Sequence, residues 1–366
     1  MRRVRKILSK KALKVLFLVT ISFYIFYVFG VFHHILEKDF YTDFHYPYDG
    51  NIEEVIMQLK NNQTPSIPPL NSYNFYFYKS CDNKCRNIND LRLVYIVKSA
   101  PQHFERRLAI RSSWGFQRRF SDVEIRTVFL IGLQQAATIQ VSINEESERF
   151  NDIVQANYTD SYFNNTFKTM SGLEWAVKHC LNAKFYMIVD DDYYVSTKNV
   201  LRFLRFPTHY PQYLREPMAN LKNLIQSRVP LNLELELNDN VRLYTGYSFH
   251  SAPHRHLTSK WYISLKEYPW HLWPPYVSGG AMVFSNQALT DMYYASFYTL
   301  HFRFDDIYVG LLAYKTKIEP FHSEYFHFTK KSYYKFNYGY VVASHGYEDP
   351  KEMVAVWNEQ KSLGNA

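Results

Sequence analysis

Short apolar segments alternate with amphipathic helical segments from residue 91 onward, and this order constrains the fold more than any other feature of the chain. Each apolar segment has the length and composition of a buried strand, and they lie at 91–100, 126–132, 152–156 and 185–189. The segments between and after them show helical periodicity, most clearly from Phe163 to Leu181. The alternation predicts an α/β fold with a mostly parallel central sheet that helices cover on both faces.

An uncharged segment of 18 residues, 15–32, lies close to the N-terminus. At about 1.5 Å per residue, a helix of this length just crosses the hydrocarbon core of a bilayer. The first 14 residues carry seven Lys or Arg and no acidic residue, so the positive-inside rule places residues 33–366 in the lumen. We expect a transmembrane signal anchor rather than a cleaved signal peptide, because no small-x-small cleavage site follows the segment.

The positive charge of the chain is concentrated in this N-terminal tail. The formal net charge is +8, and the seven basic residues at positions 1–14 account for nearly all of it. The remainder of the chain is close to neutral, which argues against a nucleic-acid-binding groove. Hydrophobic residues make up 47% of the sequence, which excludes a disordered chain and allows a packed core.

The sequence divides into four regions. Residues 1–14 form a cytosolic basic tail, and residues 15–32 form the transmembrane segment. Residues 33–90 are predicted to be a lumenal stem, because they are rich in Asn, Pro and Tyr and contain one short helical patch. Residues 91–366 are predicted to be the catalytic domain, within which we interpret the irregular and polar segment 207–242 as a surface excursion.

Two further features agree with a lumenal location. Three Asn-x-Thr sequons are candidate sites of N-glycosylation, at Asn62, Asn157 and Asn164. The chain has three cysteines, too few for a small disulfide scaffold. Cys81 and Cys85 are four residues apart, and a local bridge between them is possible in an oxidising lumen, which would leave Cys180 unpaired.

Three consecutive aspartates, Asp190, Asp191 and Asp192, follow the apolar strand 185–189. Side chains alternate along an extended strand, so Asp190 and Asp192 are expected on one side and Asp191 on the other. Open α/β sheets bind ligands at the carboxyl ends of their strands, and two carboxylates there suit a hard divalent cation that also holds a diphosphate. The alternative is ordinary acids near a helix N-terminus, which accounts for one aspartate better than for three.

Other candidate residues are less specific by themselves. Arg107 and Arg111 are four residues apart and share a helix face, so they can grip a phosphate, although by themselves they are better explained as a solvated basic face. Gly279 and Gly280 precede an apolar strand and allow close backbone approach to a ligand, or they form an ordinary turn.

An acidic pair and a histidine complete the set of candidates. Asp305 and Asp306 open a predicted helix, where acids commonly serve as caps. His345 lies in a glycine turn near the C-terminus, a setting in which histidine is more often structural than a ligand. Neither feature by itself identifies a site.

Taken together and in this order, these segments resemble the β1,3-galactosyltransferase family. The resemblance covers roughly residues 91–360. The matching pieces are RLAIRSSWG (107–115), DIVQANYTDSYFNNTFKT (152–169), LEWAVKHC (173–180), FYMIVDDDYYV (185–195), SKWYISLKEYP (259–269), WPPYVSGGAMVFS (273–285), DDIYVG (305–310) and SHGYEDPKEMVAVW (344–357). Eight pieces in register make a specific match, although each alone is weak.

The resemblance implies a single-pass type II membrane protein of the Golgi with a GT-A type nucleotide-sugar-binding fold. Such an enzyme uses a UDP-sugar and Mn²⁺ and inverts the configuration at the anomeric carbon. By analogy, Asp192 and His345 would bind the metal and Asp306 would be the general base. The nucleotide-sugar site would include Arg107, Arg111, Asp190, Asp191, Gly279 and Gly280.

Two positions differ from the family pattern. Val277 stands where the family often has Cys, so a disulfide common there is missing, which would leave Cys180 unpaired. Asp305-Asp306 replaces the more frequent Glu-Asp, and the second acid, which is the expected base, is retained.

The sequence therefore predicts a β1,3-hexosyltransferase that moves a hexose from a UDP-sugar, by default UDP-galactose, to a glycan on a glycolipid or glycoprotein. One alternative is an N-acetylglucosaminyltransferase of the same fold. Another is a membrane-anchored carbohydrate-binding protein that has lost catalysis, against which the intact aspartates and His345 argue.

Overall fold

A computed structural model describes residues 10–215, 237 and 240–366. Most of the segment interpreted as a surface excursion, 207–242, and the first basic residues of the tail lie outside the described residues. The chain forms two compact units. The anchor unit comprises Met1–Tyr46 and His250–Pro274, and the sheet unit comprises Pro47–Phe249 and Pro275–Ala366.

The described strands belong to one large and one small sheet. In chain order they are β1 Phe77–Lys79, β2 Leu91–Lys98, β3 Glu124–Leu133, β4 Ile153–Thr159, β5 Phe185–Asp190, β6 Tyr194–Val195, β7 Tyr244–Phe249, β8 Tyr276–Ser285, β9 Phe321–His322, β10 Phe326–His327 and β11 Ala343–Ser344.

Helices precede, separate and follow these strands. The described α-helices are α1 Lys10–Val28, α2 Val31–Ile35, α3 Phe40–Asp43, α4 Ile52–Lys60, α5 Phe104–Ser112, α6 Ala137–Phe150, α7 Asn165–His179, α8 Thr197–Arg205, α9 Gln212–Arg215, α10 Asn286–Ser296, α11 Asp305–Lys315 and α12 Pro350–Ser362. Short 3₁₀ helices lie at Tyr162–Asn164 and Pro207–His209.

The large sheet has the order β1-β4-β3-β2-β5-β8-β7-β9. Strands β4, β3, β2 and β5 run parallel, whereas β8 is antiparallel to both β5 and β7. The small sheet has the order β10-β11-β6. The predicted α/β fold is confirmed, and its physical basis is visible in β2, whose residues are almost all buried, as expected of a strand covered on both faces.

Helices pack on both faces of the central strands. On one face, the ring of Tyr95 lies 5.3 Å from that of Trp114, next to apolar residues of α12. On the other face, α7 approaches so closely that a Cβ added at Gly172 would lie 2.9 Å from Leu130 and 3.2 Å from Ile96. Glycine at this position therefore allows the helix to pack directly on β2 and β3.

The strand register positions the carboxyl end of the sheet. Lys98, the last residue of β2, is the direct partner of Asp190, the last residue of β5. Strands β7 and β8 pair regularly up to Gly246 and Met282, and the next pair is Ser248 with Val277. Residues 278–281 therefore form a bulge in the pairing of β8 with β7, although Ala281 still pairs with Val189 near the end of β5, and bulges are common next to active sites.

Part of the predicted stem folds with the sheet. Strand β1 extends the large sheet by pairing Phe77 with Ala156 of β4. Helix α4 buries Ile52, Val55 and Ile56 and packs against α10. The sheet unit begins at Pro47, so the sequence boundary at residue 90 does not coincide with a structural one. The functional division between stem and catalytic domain remains a prediction.

The N-terminal apolar segment forms a helix that ends earlier than expected. Helix α1 covers 19 residues, has a mean hydropathy of 1.7 and is not buried against the protein. It is long and apolar enough to cross a membrane. Gly30, with a φ of +77°, separates it from α2, so the predicted continuous segment 15–32 is interrupted after Val28.

The disulfide differs from both sequence-based expectations. Cys85 pairs with Cys180 over a separation of 95 residues, whereas Cys81 carries a free thiol. The local bridge between Cys81 and Cys85 was therefore a wrong expectation, and so was an unpaired Cys180. Asn182 explains the pairing, because its side-chain amide donates to the carbonyls of Cys85 and Ile88 and holds the turn after α7 beside them.

We predict that the Cys85→Ser variant loses about 2–5 kcal/mol of unfolding free energy, because the bridge closes a long loop of the unfolded chain. Thermal unfolding of the detergent-solubilised protein under non-reducing conditions measures this loss. The control is Cys81→Ser, which keeps a donor for the Ile153 carbonyl and should unfold like wild type. Equal destabilisation by the two substitutions would contradict the observed pairing.

Candidate active site

Lys98 joins four elements at the carboxyl end of the sheet. Its buried ammonium lies 3.0 Å from Asp190 Oδ1 and 2.9 Å from Asp305 Oδ2, and it donates to the Gly279 carbonyl over 2.8 Å. Burial alone would lower the pKa of Lys98, but the two carboxylates outweigh it and hold the pKa above its ordinary value. One ammonium thus connects β2, β5, the β8 bulge and the start of α11.

The three consecutive aspartates diverge, as strand alternation predicts. Asp190 contacts Lys98, and Asp192 lies against His345. Asp191 points towards α5, where its carboxylate accepts hydrogen bonds from Ser99 Oγ at 2.6 Å and from Arg106 at 2.9 Å. The sequence-based separation of Asp191 from its two neighbours therefore agrees with their different partners.

Asp191 is fully engaged in this position. Besides Ser99 and Arg106, its carboxylate lies 2.8 Å from His103 Nδ1. Burial would raise the pKa of Asp191, but the bonds from His103, Ser99 and Arg106 together hold that pKa below its usual value. Asp191 is thus an ionised anchor that fixes the N-terminal end of α5 against the end of β5.

Asp192 and His345 lie against each other, and Asp192 has an oxygen that is not used in this contact. His345 Nε2 lies 3.2 Å from Asp192 Oδ2, and this bond raises the pKa of His345. Asp192 Oδ1 is buried and has no hydrogen-bond partner among the described residues. A buried carboxylate oxygen without a partner is costly, and a bound cation relieves that cost.

The donor set at this position suits a hard cation only in part. No group of three or more His, Cys, Asp or Glu side chains able to hold a metal is present in the described part of the chain. If Asp192 and His345 bound a metal ion, they would supply two ligands, and further ligands would come from a bound diphosphate or water. Mg²⁺ and similar ions commonly bind in this way, through one or two protein side chains and substrate phosphates.

Arg107 and Arg111 pair with carboxylates other than the three consecutive aspartates. Arg107 is fully buried, with its guanidinium bound to both oxygens of Glu146. Arg111 binds Glu146 and Asp152. This arrangement differs from the expected open pair of guanidiniums, because their donors are largely occupied by protein carboxylates. Only Arg107 is linked to the aspartates, through its bond to Ser99 Oγ, which in turn donates to Asp191.

Asp305 and Asp306 open α11 but have different environments. Asp305 accepts from Lys98 and from Thr169 Oγ1 at 2.9 Å, and although burial opposes ionisation, these partners lower its pKa. Asp306 is half-buried and accepts from the Ile307 amide at 2.8 Å. Burial, followed by the negative charge of Asp305, raises the pKa of Asp306 to about 7. The pair therefore comprises one locked carboxylate and one that titrates near neutrality.

Capping does not explain this acidic pair. The N-cap of α11 is Phe304, which makes no side-chain cap bond, so neither aspartate occupies the capping position. The helix N-terminus favours an ionised Asp306, but the raised pKa means that burial and the neighbouring charge are stronger here.

Gly279 and Gly280 lie in the β8 bulge and make room for neighbouring side chains. A Cβ at Gly279 would lie 3.2 Å from Asp305 Oδ1, and one at Gly280 would lie 2.3 Å from Tyr193 Oη. The paired glycines therefore permit α11 and Tyr193 to approach the bulge, which places the Gly279 carbonyl on Lys98.

The candidate glycosylation sites lie in other parts of the described structure. Asn62 occupies an exposed turn, and Asn157 is exposed on β4, where its side chain accepts from the Tyr76 amide. Asn164 is half-buried in a 3₁₀ helix and donates to the Thr159 carbonyl.

Sequence reasoning missed several residues that organise this site, namely Lys98, Ser99, His103, Arg106, Thr169 and Tyr193. One signal was present in the sequence, because Lys98 places a charge directly after the apolar run 93–97 at the end of a strand. Such a charge is buried only when it is paired, so its partners should have been sought at the ends of neighbouring strands.

We predict that Lys98→Met lowers the unfolding free energy by about 3–5 kcal/mol, because it leaves the buried Asp305 without its counter-charge. Adding Asp305→Asn should recover part of the loss. Lys184→Met removes an exposed pair with Asp90 and should cost less than ~1 kcal/mol. Thermal unfolding of the solubilised variants checks this, and equal losses for Lys98→Met and Lys184→Met would contradict the central role of Lys98.

Comparisons with known proteins identify the family of this chain. The family model described as Galactosyltransferase matches residues 105–218 and 218–324. Beta-1,3-galactosyltransferase brn of Drosophila melanogaster is 38% identical over 343 residues, which cover 92% of each chain. Beta-1,3-galactosyltransferase 1 of Homo sapiens is 31% identical over 294 residues, which cover 80% of this chain and 81% of that protein.

A solved galactosyltransferase, LgtC in complex with donor and acceptor sugar analogues, shares 11% identity with a TM-score of 0.36. The alignment covers 74% of this chain and 99% of that one, a likeness too distant to carry an argument by itself. The family match and the relatives confirm the resemblance found in the sequence. The chain therefore belongs to the galactosyltransferase family, and its fold is of the α/β class predicted from the sequence.

Proposed function

We propose that the protein is an inverting β1,3-galactosyltransferase that moves galactose from UDP-galactose to a glycan acceptor on a glycolipid or glycoprotein. The observation that carries this proposal is the divided acidic pair at the start of α11. Asp305 is held ionised by Lys98, and Asp306 has a pKa of about 7. Two neighbouring carboxyl groups whose pKa values are pushed apart are a recurrent sign of acid–base function.

Asp306 is the proposed general base. Inversion by a single displacement requires a group that takes the proton of the acceptor hydroxyl as the new glycosidic bond forms. A carboxylate whose pKa lies near the working pH is well matched to accept that proton. Lys98, through Asp305, is the proposed positioning residue for this base.

The leaving group of the reaction is a nucleoside diphosphate, whose charge needs compensation. We propose that Asp192 and His345 hold Mn²⁺, which would supply electrostatic stabilisation of that diphosphate. Asp192 Oδ1, which has no hydrogen-bond partner among the described residues, supports this assignment. Asp190, whose side chain is 39% exposed beside Lys98, is proposed to face the nucleotide.

The remaining candidates are proposed to shape the nucleotide-sugar site. Gly279 and Gly280 permit the bulge at its wall. Asp191 is proposed to act indirectly, by fixing α5 through His103 and Arg106. Because the donors of Arg107 and Arg111 are largely occupied by Glu146 and Asp152, we propose that both support α5 instead of contacting UDP.

We propose that the protein is a single-pass type II membrane protein of the Golgi with its catalytic domain in the lumen. The apolar helix α1 and the basic tail before it support this orientation. A donor screen with UDP-galactose and UDP-N-acetylglucosamine separates the proposed activity from its nearest alternative, and the absence of UDP release with any donor would favour a carbohydrate-binding protein.

We predict that Asp306→Asn lowers turnover by ~10²–10⁴-fold, because the amide cannot accept the acceptor proton but can still accept from the Ile307 amide. Thermal stability and affinity for UDP should stay near wild type. In wild type, kcat/KM should be constant above pH about 7 and fall about tenfold per pH unit below it, as Asp306 becomes protonated. Near-normal turnover of Asp306→Asn would exclude the base role.

We predict that activity requires a divalent cation, with Mn²⁺ most effective, and that Asp192→Asn weakens Mn²⁺ and UDP binding together. The substitution removes a charged ligand and so reduces compensation of the diphosphate. Isothermal titration with Mn²⁺ and UDP measures both affinities, with Asp306→Asn as the matched control that should bind normally. Full activity in excess chelator would refute the metal requirement.

We predict that the protein is N-glycosylated and that its C-terminus is protected inside sealed microsomes. Glycosidase treatment should increase gel mobility, and Asn62→Gln, Asn157→Gln and Asn164→Gln should identify the modified sites. The exposed Asn62 and Asn157 are the more accessible acceptors. An unglycosylated protein whose C-terminal tag is digested from outside the microsomes would contradict the proposed orientation.

A further inference from the structure

We propose that residues 254–262, the interfacial segment, lie in the lumenal headgroup region of the bilayer that α1 crosses. This inference rests on the proposed membrane span and is independent of the catalytic residues. All contacts that carry it lie within the anchor unit.

The interfacial segment is bonded directly to the end of α1. The Leu257 amide donates to the carbonyl of Val28, the last residue of the helix, over 2.9 Å. A Cβ added at Gly30 would lie 2.5 Å from the Arg255 carbonyl oxygen, so the two backbones are in close contact. If α1 spans the membrane, these contacts place the segment at the depth where the helix leaves the hydrocarbon.

Arg255 fixes the segment in this position. Its fully buried guanidinium pairs with Glu37 at 2.7 Å and donates to the carbonyls of Ile263, Tyr268 and Trp270. Glu37 lies two residues after the end of α2. The ion pair therefore joins the chain that follows α1 and α2 to the interfacial segment, which is more than 200 residues further along the sequence. The segment is therefore held by several directed bonds to the end of the anchor.

The uncharged part of α1 is shorter than the hydrocarbon core of a bilayer. After Lys14, the helix continues for only 14 residues, Val15 to Val28, or roughly 21 Å at 1.5 Å per residue. The hydrocarbon core is about 27–30 Å thick. Phe32 adds little length, because the chain turns at Gly30 and the Phe32 ring packs back on Phe23 at 4.6 Å. Because of this difference in length, the residues at the lumenal end of α1 are expected to lie at the surface of the bilayer.

The surface at that end has the composition of a membrane interface. Both chain segments that meet at the end of α1 carry exposed apolar side chains. Ile35 is 74% exposed, Leu36 is 70% exposed and Leu257 is 39% exposed. Trp261 is 43% exposed, and Lys260 lies 4.4 Å from its ring centre. Tryptophan at the headgroup level, with lysine extending its ammonium to water, is the arrangement typical of interfaces.

The fluorescence of Trp261 can be used to test this inference. The chain has six tryptophans, and the other five are at most 6% exposed, namely Trp114, Trp175, Trp270, Trp273 and Trp357. The full-length protein would be reconstituted into phosphatidylcholine nanodiscs whose lipids carry bromine either near the headgroup or near the chain terminus. The Trp261→Phe variant gives the emission of the five buried residues, and the difference from wild type reports Trp261.

We expect the Trp261 difference emission to lose most of its intensity with bromine near the headgroup and less with bromine near the chain terminus. Equal emission in brominated and unbrominated discs would overturn the inference. If Trp261→Phe proves unstable, quenching of the wild-type protein alone decides, because its other tryptophans are buried. Extraction of membranes with alkaline carbonate distinguishes two ways in which the inference could fail. Release of the protein from the membranes would refute the membrane span as well. Retention of the protein together with an unquenched Trp261 would refute only the placement of the interfacial segment.

Discussion

The buried ammonium of Lys98 is the interaction on which the rest of the site depends. It compensates Asp190 at the end of β5 and Asp305 at the start of α11, and it binds the carbonyl of Gly279. A buried charge is tolerated only with good partners, so these elements stabilise one another as a set. The arrangement explains why the β8 bulge contains glycine, since a side chain at position 279 would approach the Asp305 carboxylate.

This charge balance also assigns different roles to two adjacent carboxyl groups. Lys98 and Thr169 keep Asp305 ionised, and the resulting negative charge, together with burial, raises the pKa of Asp306. Burial and the ion pair between Lys98 and Asp305 thereby leave Asp306 as a group that titrates near neutral pH. The same logic separates the three consecutive aspartates, because Asp191 is fully engaged with α5 whereas Asp192 retains an unpartnered oxygen among the described residues.

The anchor unit shows a related use of a buried cation. Arg255 binds Glu37 and three backbone carbonyls, and thereby holds residues 254–262 to the chain that follows α1. The bonds to carbonyl groups give this arginine a structural role that its surroundings in the sequence do not reveal. Glu37 is more than 200 positions away in the sequence, whereas the residues that supply the three carbonyls are within 15 positions of Arg255. No local sequence pattern therefore predicts all of these partners.

The sequence by itself determined the α/β class, the apolar helix near the N-terminus, the family and the aspartates at the end of β5, because periodicity and motif order are local properties. Only the tertiary structure decided which cations meet which carboxylates. Arg107 and Arg111 share a helix face as expected, yet that face meets Glu146 and Asp152, while Arg106 reaches Asp191. Likewise, Cys85 pairs with Cys180 and not with Cys81, since covalent and ionic pairing depends on distance in space and not on spacing along the chain.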